Sequence, residues 1–296
     1  IVLENVQVVR YGFKLHSAVQ ISSMFSRSIT RSLATMAEAG KQLVKSRLDD
    51  GVFVITINNP TRNNCVGHPT AKALVEAFER FEADEQAKVA VLHGEGSNFC
   101  CGYDLKEVSE GGFVDVDEQF LAKYRYMGPT AMALRKPLIA AVEGYAVAGG
   151  LEMSLLADLR VASASAKFGV FCRRVGVPLI DGGTVRLPKV IGLGRALDLI
   201  LTGREVSAQE ALSIGLANRV VEEGKALEEA IALAKLIAAH PNQCMLVDRT
   251  SVYNSLSAPT LKEALDFEYA EGVSVLNESI QGALKFMKRD RIKPKL

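Results

Sequence analysis

The chain has 296 residues, 48% hydrophobic and 23% charged, which is close to the average of soluble globular proteins and excludes a disordered chain or a fibrous repeat. Its 35 basic and 34 acidic residues leave a net charge of +1, whereas a protein built mainly to hold nucleic acid or a membrane surface would carry a larger basic excess. No run of 18 consecutive apolar residues occurs, so we expect no membrane insertion.

Residues 1–40 form a predicted leader that precedes the folded core. Residues 5–37 contain no acidic side chain, and residues 24–35 are rich in Ser and Arg. This composition is typical of a mitochondrial transit peptide, which would place the protein in the mitochondrial matrix. The alternative is a disordered leader without an address, which would leave the protein in the cytoplasm.

From residue 41 onward, predicted strands and helices alternate. Apolar and β-branched runs predict strands at 52–57, 89–92, 137–142, 159–161 and 218–221. Helical spacing predicts helices at 70–84 and 151–156, and from 225 onward with a break at His240-Pro241. The Ser207–Glu210 capping box predicts a further short helix that ends at Gly215. The alternation indicates an α/β fold, with a core over 41–235 and a helical region over 236–296.

Several common sites are missing from the sequence. The five cysteines form no CxxC pair, and the four histidines lie far apart, so we predict neither a disulfide scaffold nor a metal site. No GxSxG or GxxxxGK[ST] motif occurs, and Gly192-Leu-Gly194 lacks the third glycine of a dinucleotide fingerprint. The sequence therefore gives no sign of a bound cofactor.

Two glycine-rich turns, residues 98–106 and 144–150, each follow a predicted buried strand. We expect them at the same edge of a sheet, where their glycines let a substrate approach the backbone. A helix begins near Gly149, and its first N–H groups are suited to a carbonyl oxygen that gains negative charge. Glu152 follows three residues later on the same helix face, as a candidate to move a proton. The simpler interpretation is a tight turn with Glu152 as a favourable partner of the helix dipole.

At these turns the sequence resembles the enoyl-CoA hydratase/isomerase (crotonase) superfamily, over about residues 45–290. Phe99-Cys-Cys-Gly-Tyr-Asp-Leu is similar to the family's F-x-A-G-A-D-[IL]. Lys136-Pro-Leu-Ile-Ala-Ala-Val-Glu-Gly-Tyr-Ala-Val-Ala-Gly-Gly-Leu-Glu is similar to K-P-x-I-A-A-V-x-G-x-A-x-G-G-G-x-E. Two further stretches, which begin at Phe168 and at Leu201, are also similar to the family's pattern.

The resemblance implies a spiral of ββα units that forms two roughly perpendicular sheets. It also implies a C-terminal helical region that packs subunits into a homotrimer or homohexamer. The implied substrate is an acyl-CoA thioester, so coenzyme A belongs to the substrate and no separate cofactor is expected.

The resemblance also assigns roles to individual residues. The backbone N–H groups of Tyr103 and Gly149 would hold the thioester oxygen. The adenine and pantetheine parts of the CoA ester would lie along Asp104, Leu105 and Lys106. Lys106 and the basic tail, with Lys288 and Arg289, are candidate phosphate partners, although the tail is as well explained by solvation.

The sequence departs from the hydratase pattern at one position. Hydratases of the family use two glutamates; Glu152 matches the first, but Cys172 stands at the second. A neutral thiol with an ordinary pKa does not replace a carboxylate base. Asp181 offers a compensating carboxylate, because some isomerases of the superfamily carry an active-site Asp in a similar turn. Alternatively, Asp181 only caps a helix.

Three hypotheses follow. The first is an enoyl-CoA hydratase, a hydro-lyase in which Glu152, with or without Asp181, handles the water. The second is an isomerase that uses Glu152 and Asp181. The third is a catalytically weak CoA-ester-binding protein, which lost efficient chemistry because Cys172 stands where hydratases have their second glutamate.

Overall fold

A computed structural model describes residues 42–111 and 117–289, with side chains as far as residue 287. The predicted leader over residues 1–40 therefore lies outside the described residues. The same holds for the side chains of Lys288 and Arg289, whose predicted role in phosphate binding stays a prediction.

Within these ranges, short strands and helices alternate along the chain. The strands are β1 Val44–Asp49, β2 Val52–Ile57, β3 Val89–Gly94, β4 Leu138–Val142, β5 Tyr145–Val147, β6 Leu159–Ser163, β7 Lys167–Gly169, β8 Val206–Ser207 and β9 Arg219–Val221. The helices are α1 His68–Ala83, α2 Leu105–Ser109, α3 Glu118–Lys123, α4 Gly149–Leu156, α5 Gly183–Ile191, α6 Leu193–Thr202, α7 Ala208–Ser213, α8 Ala226–Ala238, α9 Asn242–Ser255, α10 Leu261–Ser274 and α11 Leu276–Arg289. Three short 3-10 helices are Pro60–Arg62, Pro129–Ala131 and Phe171–Val175.

The strands form two sheets. The larger sheet has the order β1-β2-β3-β4-β6-β9, in which only the β1–β2 pair is antiparallel. The smaller sheet has the order β5-β7-β8. The two sheets confirm the predicted α/β fold class.

Both faces of the larger sheet are covered, as a parallel sheet requires. Alternate residues of β2 belong to two separate apolar clusters, with Ile55 on one side and Val54 on the other. Phe78 of α1 belongs to the first cluster and Ala230 of α8 to the second. Burial on both faces therefore explains why five of the six residues of β2 are apolar.

Most predicted elements are confirmed, including the Ser207 cap, whose hydroxyl accepts the Glu210 N–H. The interpretation of residues 144–150 as a turn is wrong in its middle, because Tyr145–Val147 form β5. Strand β5 pairs with β7, which is also only three residues long. Such short strands have no alternation that a sequence pattern would reveal.

A polar cluster links helix α9 to the larger sheet next to β4 and β6. Arg249 of α9 forms an ion pair with Asp158 at 2.9 Å, and Asp158 also accepts the Leu138 N–H and the Tyr253 hydroxyl. Helix α8 continues across the predicted boundary at residue 235, and the division into 41–235 and 236–296 stays a prediction.

Helices α10 and α11 leave large apolar side chains exposed, namely Leu261, Leu265, Tyr269, Val273, Leu276 and Ile280. Among the described residues, no single helix has the length and apolar composition needed to cross a membrane. Helices α8 and α9 meet that test only when they are taken together across a bend of 109°.

Candidate active site

The two glycine-rich segments meet at the carboxyl ends of β3 and β4, as predicted. The Cys100 N–H donates to the Tyr145 carbonyl at 2.9 Å, and the Val147 N–H donates to the Cys100 carbonyl at 3.1 Å. A Cβ on Gly102 would lie 3.0 Å from the Gly149 nitrogen. The backbone just before Tyr103 therefore touches the backbone at the start of α4.

Helix α4 begins at Gly149, after Ala148, whose φ is positive at 53°. In the described part of the chain, no side chain caps this end of the helix. A Cβ on Gly150 would lie 1.9 Å from the Cys100 carbonyl oxygen, so only glycine permits this approach. The N-terminus of α4, with its partial positive charge, is consequently held against the Cys100–Tyr103 segment.

Glu152 is buried in the first turn of α4 and is 3% exposed. Its Oε1 accepts the N–H groups of Asp181 at 2.9 Å and Gly183 at 2.8 Å. Burial, followed by the nearby charge of Asp181, raises the pKa of Glu152 to about 7, against the lowering effect of these hydrogen bonds. Both described bonds use Oε1, which leaves Oε2 as the oxygen that can exchange a proton.

Asp181 is also 3% exposed, and its carboxylate is not a helix cap. The residue before α5 is Gly182, and the Asp181 Oδ1 instead accepts the Met127 N–H at 2.9 Å and the Thr130 hydroxyl at 2.5 Å. The alternative interpretation, in which Asp181 only caps a helix, is therefore wrong. Burial raises its pKa, while the bonds from Thr130 and Met127 work in the opposite direction.

Cys172 lies in the 3-10 helix Phe171–Val175 and is 6% exposed. Burial raises the pKa of its thiol, and the charge of nearby Glu152 raises it further. The group is therefore a neutral thiol at neutral pH. The following arginines bind backbone carbonyls, Arg173 at Ile200 and Arg174 at Gly203.

In the stretch after Tyr103, Asp104 stabilises the local structure. Asp104 binds Arg62 through both carboxylate oxygens and caps α2 by accepting the Lys106 N–H. Leu105 and Lys106 are exposed on α2. The Tyr103 hydroxyl donates to Glu107, and its ring meets Tyr126 edge-on with centroids 5.8 Å apart.

A cavity of about 190 Å³ brings most of the predicted residues together. Its lining includes Tyr103, Leu105, Gly149, Glu152, Cys172 and Asp181. Asp104 and Lys106 are not among its lining residues. Within the described residues, no group of three or more His, Cys, Asp and Glu side chains is arranged to hold a metal ion.

A protein-family model described as enoyl-CoA hydratase/isomerase matches residues 47–292. The chain belongs to this family. The enoyl-CoA hydratase EchA19 of Mycobacterium tuberculosis is 36% identical over 217 residues, which is 70% of this chain and 78% of the relative. The bovine mitochondrial enoyl-CoA hydratase domain-containing protein 2 is 31% identical over 245 residues, 82% of this chain and 80% of the relative.

A solved structure extends the likeness to the fold. The enoyl-CoA hydratase EchA1 of Mycobacterium marinum superposes with a TM-score of 0.78 at 34% identity. The superposition covers 84% of this chain and 97% of that chain. The resemblance stated from the sequence is thus confirmed, and the protein is an enoyl-CoA hydratase-like member of the family.

Three features of this family member are not predicted by its sequence motifs. Met127 and Thr130 hold the Asp181 carboxylate from a distant part of the chain. Gly183 holds Glu152 by its N–H, and a Cβ on Gly183 would lie 2.9 Å from the Glu152 Cγ. The only local signal is the glycine pair that follows Asp181, which indicates a close backbone approach.

Proposed function

We propose that this protein catalyses the reversible addition of water to the C2–C3 double bond of a 2-enoyl-CoA thioester, with Glu152 as the acid and base. The observation that carries this proposal is the buried Glu152 carboxyl group, which lines the cavity and has its pKa raised to about 7. A group with that pKa is available in both protonation states near neutral pH, as general acid–base catalysis requires.

The thioester oxygen is held by the backbone N–H groups of Gly149 and Tyr103. The proposal is supported by the contact between Gly102 and Gly149, which brings the two segments together. It is also supported by the position of Gly149 as the first residue of α4, where the helix dipole favours negative charge. Donors placed where charge develops stabilise the transition state more than the substrate.

Hydration then needs one base that acts twice. The Glu152 carboxylate takes a proton from water as the water oxygen bonds to C3. The electron pair of the C2–C3 π bond moves toward C1, and the thioester oxygen becomes an enolate. The protonated Glu152 next delivers its proton to C2 while the carbonyl re-forms. The sum is one added water and a regenerated carboxylate.

Asp181 orients the attacking water in this proposal. Both described hydrogen bonds to its carboxylate end on Oδ1, so Oδ2 can accept a hydrogen bond from a water in the shared cavity. This role replaces the one that the sequence pattern assigns to the position of Cys172. The raised pKa of the Cys172 thiol keeps it neutral and excludes it as a base.

Isomerisation is the second candidate function. Glu152 would remove a proton from C2 of a 3-enoyl-CoA ester, and Glu152 or Asp181 would return a proton to C4. The specific observation in its favour is the presence of two carboxyl groups with raised pKa values in one cavity. A third possibility is a CoA-ester-binding protein with weak chemistry. It is suggested by Cys172, which stands where hydratases have their second glutamate.

The test is to incubate the purified protein with 2-enoyl-CoA and 3-enoyl-CoA esters of short, medium and branched chains in H₂¹⁸O. Products are followed by mass spectrometry. We expect labelled 3-hydroxyacyl-CoA, lost in Glu152→Gln and retained in the matched variant Cys172→Ala. Double-bond migration without label would favour isomerisation. Binding without turnover would favour the CoA-ester-binding protein.

The assembly and location of the protein are also proposals. A homotrimer or homohexamer is supported by the exposed apolar side chains of α10 and α11, which a monomer would leave in water. A mitochondrial matrix location is supported by the composition of residues 1–40 and by the bovine mitochondrial relative. The CoA part of the substrate is proposed to run past Leu105 and Lys106.

A further inference from the structure

The segment between α3 and β4 crosses the active site at Asp181. Gly128 has φ of +87°, and this turn brings the Met127 N–H and the Thr130 hydroxyl to the same carboxylate oxygen, Asp181 Oδ1. Thr130 is 1% exposed, and its hydroxyl is committed as a donor to this bond.

A second set of bonds fixes Thr130 itself. Arg186 of α5 donates Nη2 to the Thr130 carbonyl at 2.6 Å and Nη1 to the Asp181 carbonyl at 3.2 Å. Met127 also packs on the start of α4, since a Cβ on Gly149 would lie 2.6 Å from its sulfur. The segment therefore links the Asp181 turn to the helix that carries Glu152.

We propose that Thr130 is a positioning residue, whose hydroxyl holds Asp181 Oδ1 so that Oδ2 faces the cavity beside Glu152. The inference rests on the proposed function, in which Asp181 acts on water or on a substrate proton. It applies to hydration and to an isomerisation in which Asp181 returns the proton, because both need the Asp181 carboxyl group in a fixed orientation.

The effect of the Thr130 hydroxyl on the pKa of Asp181 adds to that of the charges around this carboxylate. Glu152 on α4, Arg186 on α5 and Arg125 before the turn act on this carboxylate. Burial raises the Asp181 pKa, and the Thr130 hydrogen bond is first among the effects that lower it. Without the hydroxyl, the two arginines and the Met127 N–H remain. The pKa of Asp181 therefore rises further, and its carboxylate is less firmly oriented.

The experiment compares Thr130→Val, which keeps the shape, with Thr130→Ser, which keeps the hydroxyl. The readout is kcat/KM against pH. Two ionisations are expected on the acid side, and the one that Asp181→Asn removes is assigned to Asp181. In Thr130→Val this ionisation moves up by about one pH unit, the size expected for a lost hydrogen bond to a charged group. Values of kcat fall more than KM rises, and Thr130→Ser restores both.

Two results would overturn the inference. One is a uniform loss of activity in Thr130→Val with an unchanged pH profile, which is the mark of a merely structural role. The other is a Thr130→Ser variant as defective as Thr130→Val. If Thr130→Val fails to fold, Thr130→Ala serves in its place.

An infrared titration separates this inference from the proposed function. The C=O band of protonated Asp181 is assigned by its loss in Asp181→Asn and is followed against pH in the protein without substrate. We expect it to persist to higher pH in Thr130→Val. If no enoyl-CoA ester is turned over, the proposed function fails while this shift still supports the role of Thr130. An unshifted band refutes that role, whatever the activity.

Discussion

Replacing Glu152 by Gln should strongly lower kcat and, at the same time, stabilise the protein in alkaline solution. Glu152 is 3% exposed, and burial raises its pKa from 4.5 to about 7. Between about pH 4.5 and pH 7, the folded state therefore keeps a proton that the unfolded state releases. A rise of this size corresponds to about 3 kcal/mol, at about 1.4 kcal/mol for each pH unit.

The sign follows from the raised pKa. Below about pH 4.5 the carboxyl is protonated in both the folded and the unfolded chain, so its burial carries no charge penalty. As the pH rises through about 7, the buried group ionises and the stability that protonation gave is lost. The glutamine side chain of the Glu152→Gln variant cannot ionise, and its amide oxygen can still accept the N–H groups that Glu152 Oε1 binds.

The assay is urea unfolding of both proteins from pH 4.5 to pH 8.5 at one protein concentration, because association shifts apparent stability. The free energy of unfolding of the variant minus that of the wild type should grow by about 3 kcal/mol across this range. In parallel, kcat should fall by about 10²- to 10⁴-fold. A difference in stability that does not change with pH would refute the assignment of a raised pKa to Glu152.

Three further substitutions test other parts of the structure. Cys172→Ala should leave kcat within about threefold of wild type, because a neutral thiol contributes no base; a larger loss in a steady-state assay would contradict this. Gly150→Ala should lower the free energy of urea unfolding by about 3 kcal/mol, because the added Cβ would lie 1.9 Å from a backbone oxygen. The control Gly194→Ala places its Cβ in open space, so it should leave the free energy of unfolding unchanged or raise it. Arg249→Ala should lower the free energy of unfolding by about 3 kcal/mol, because the partly buried Asp158 loses its ion-pair partner, and protease cleavage within α9 should become faster. Unchanged cleavage would argue against this ion pair as the attachment of the helix.

The sequence predicts the parts of the site that are encoded locally. Strand β4, the glycines after it and Glu152 lie within 15 consecutive residues, so their order along the chain specifies their arrangement in space. A buried apolar run followed by Gly149 and Gly150 is a strong local signal for a strand, a turn and a helix start. For this reason the predicted meeting of the two glycine-rich segments is confirmed.

The surroundings of Asp181 were not predictable in the same way. An Asp followed by two glycines before a helix is typical of a cap, but the carboxylate instead binds Thr130, 51 residues earlier in the chain. Residues 126–130 contain a Gly-Pro turn and no motif that points to a carboxylate. Only the folded connection between α3 and β4 brings them to Asp181, so the partner is specified by tertiary structure.

The placement of main-chain donors has a consequence for how this protein can diverge. The Gly149 and Tyr103 N–H groups belong to the backbone, and the packing of Gly150 on the Cys100 carbonyl keeps the two segments together. Gly150 and Cys100 make this contact through their backbones, so it does not depend on the side chain at residue 172. Under the proposed function, the group at residue 172 can therefore be exchanged without moving the two main-chain donors that are proposed to hold the thioester oxygen. Mutation would then change the groups that move protons, while the proposed main-chain anion site would be kept with the fold.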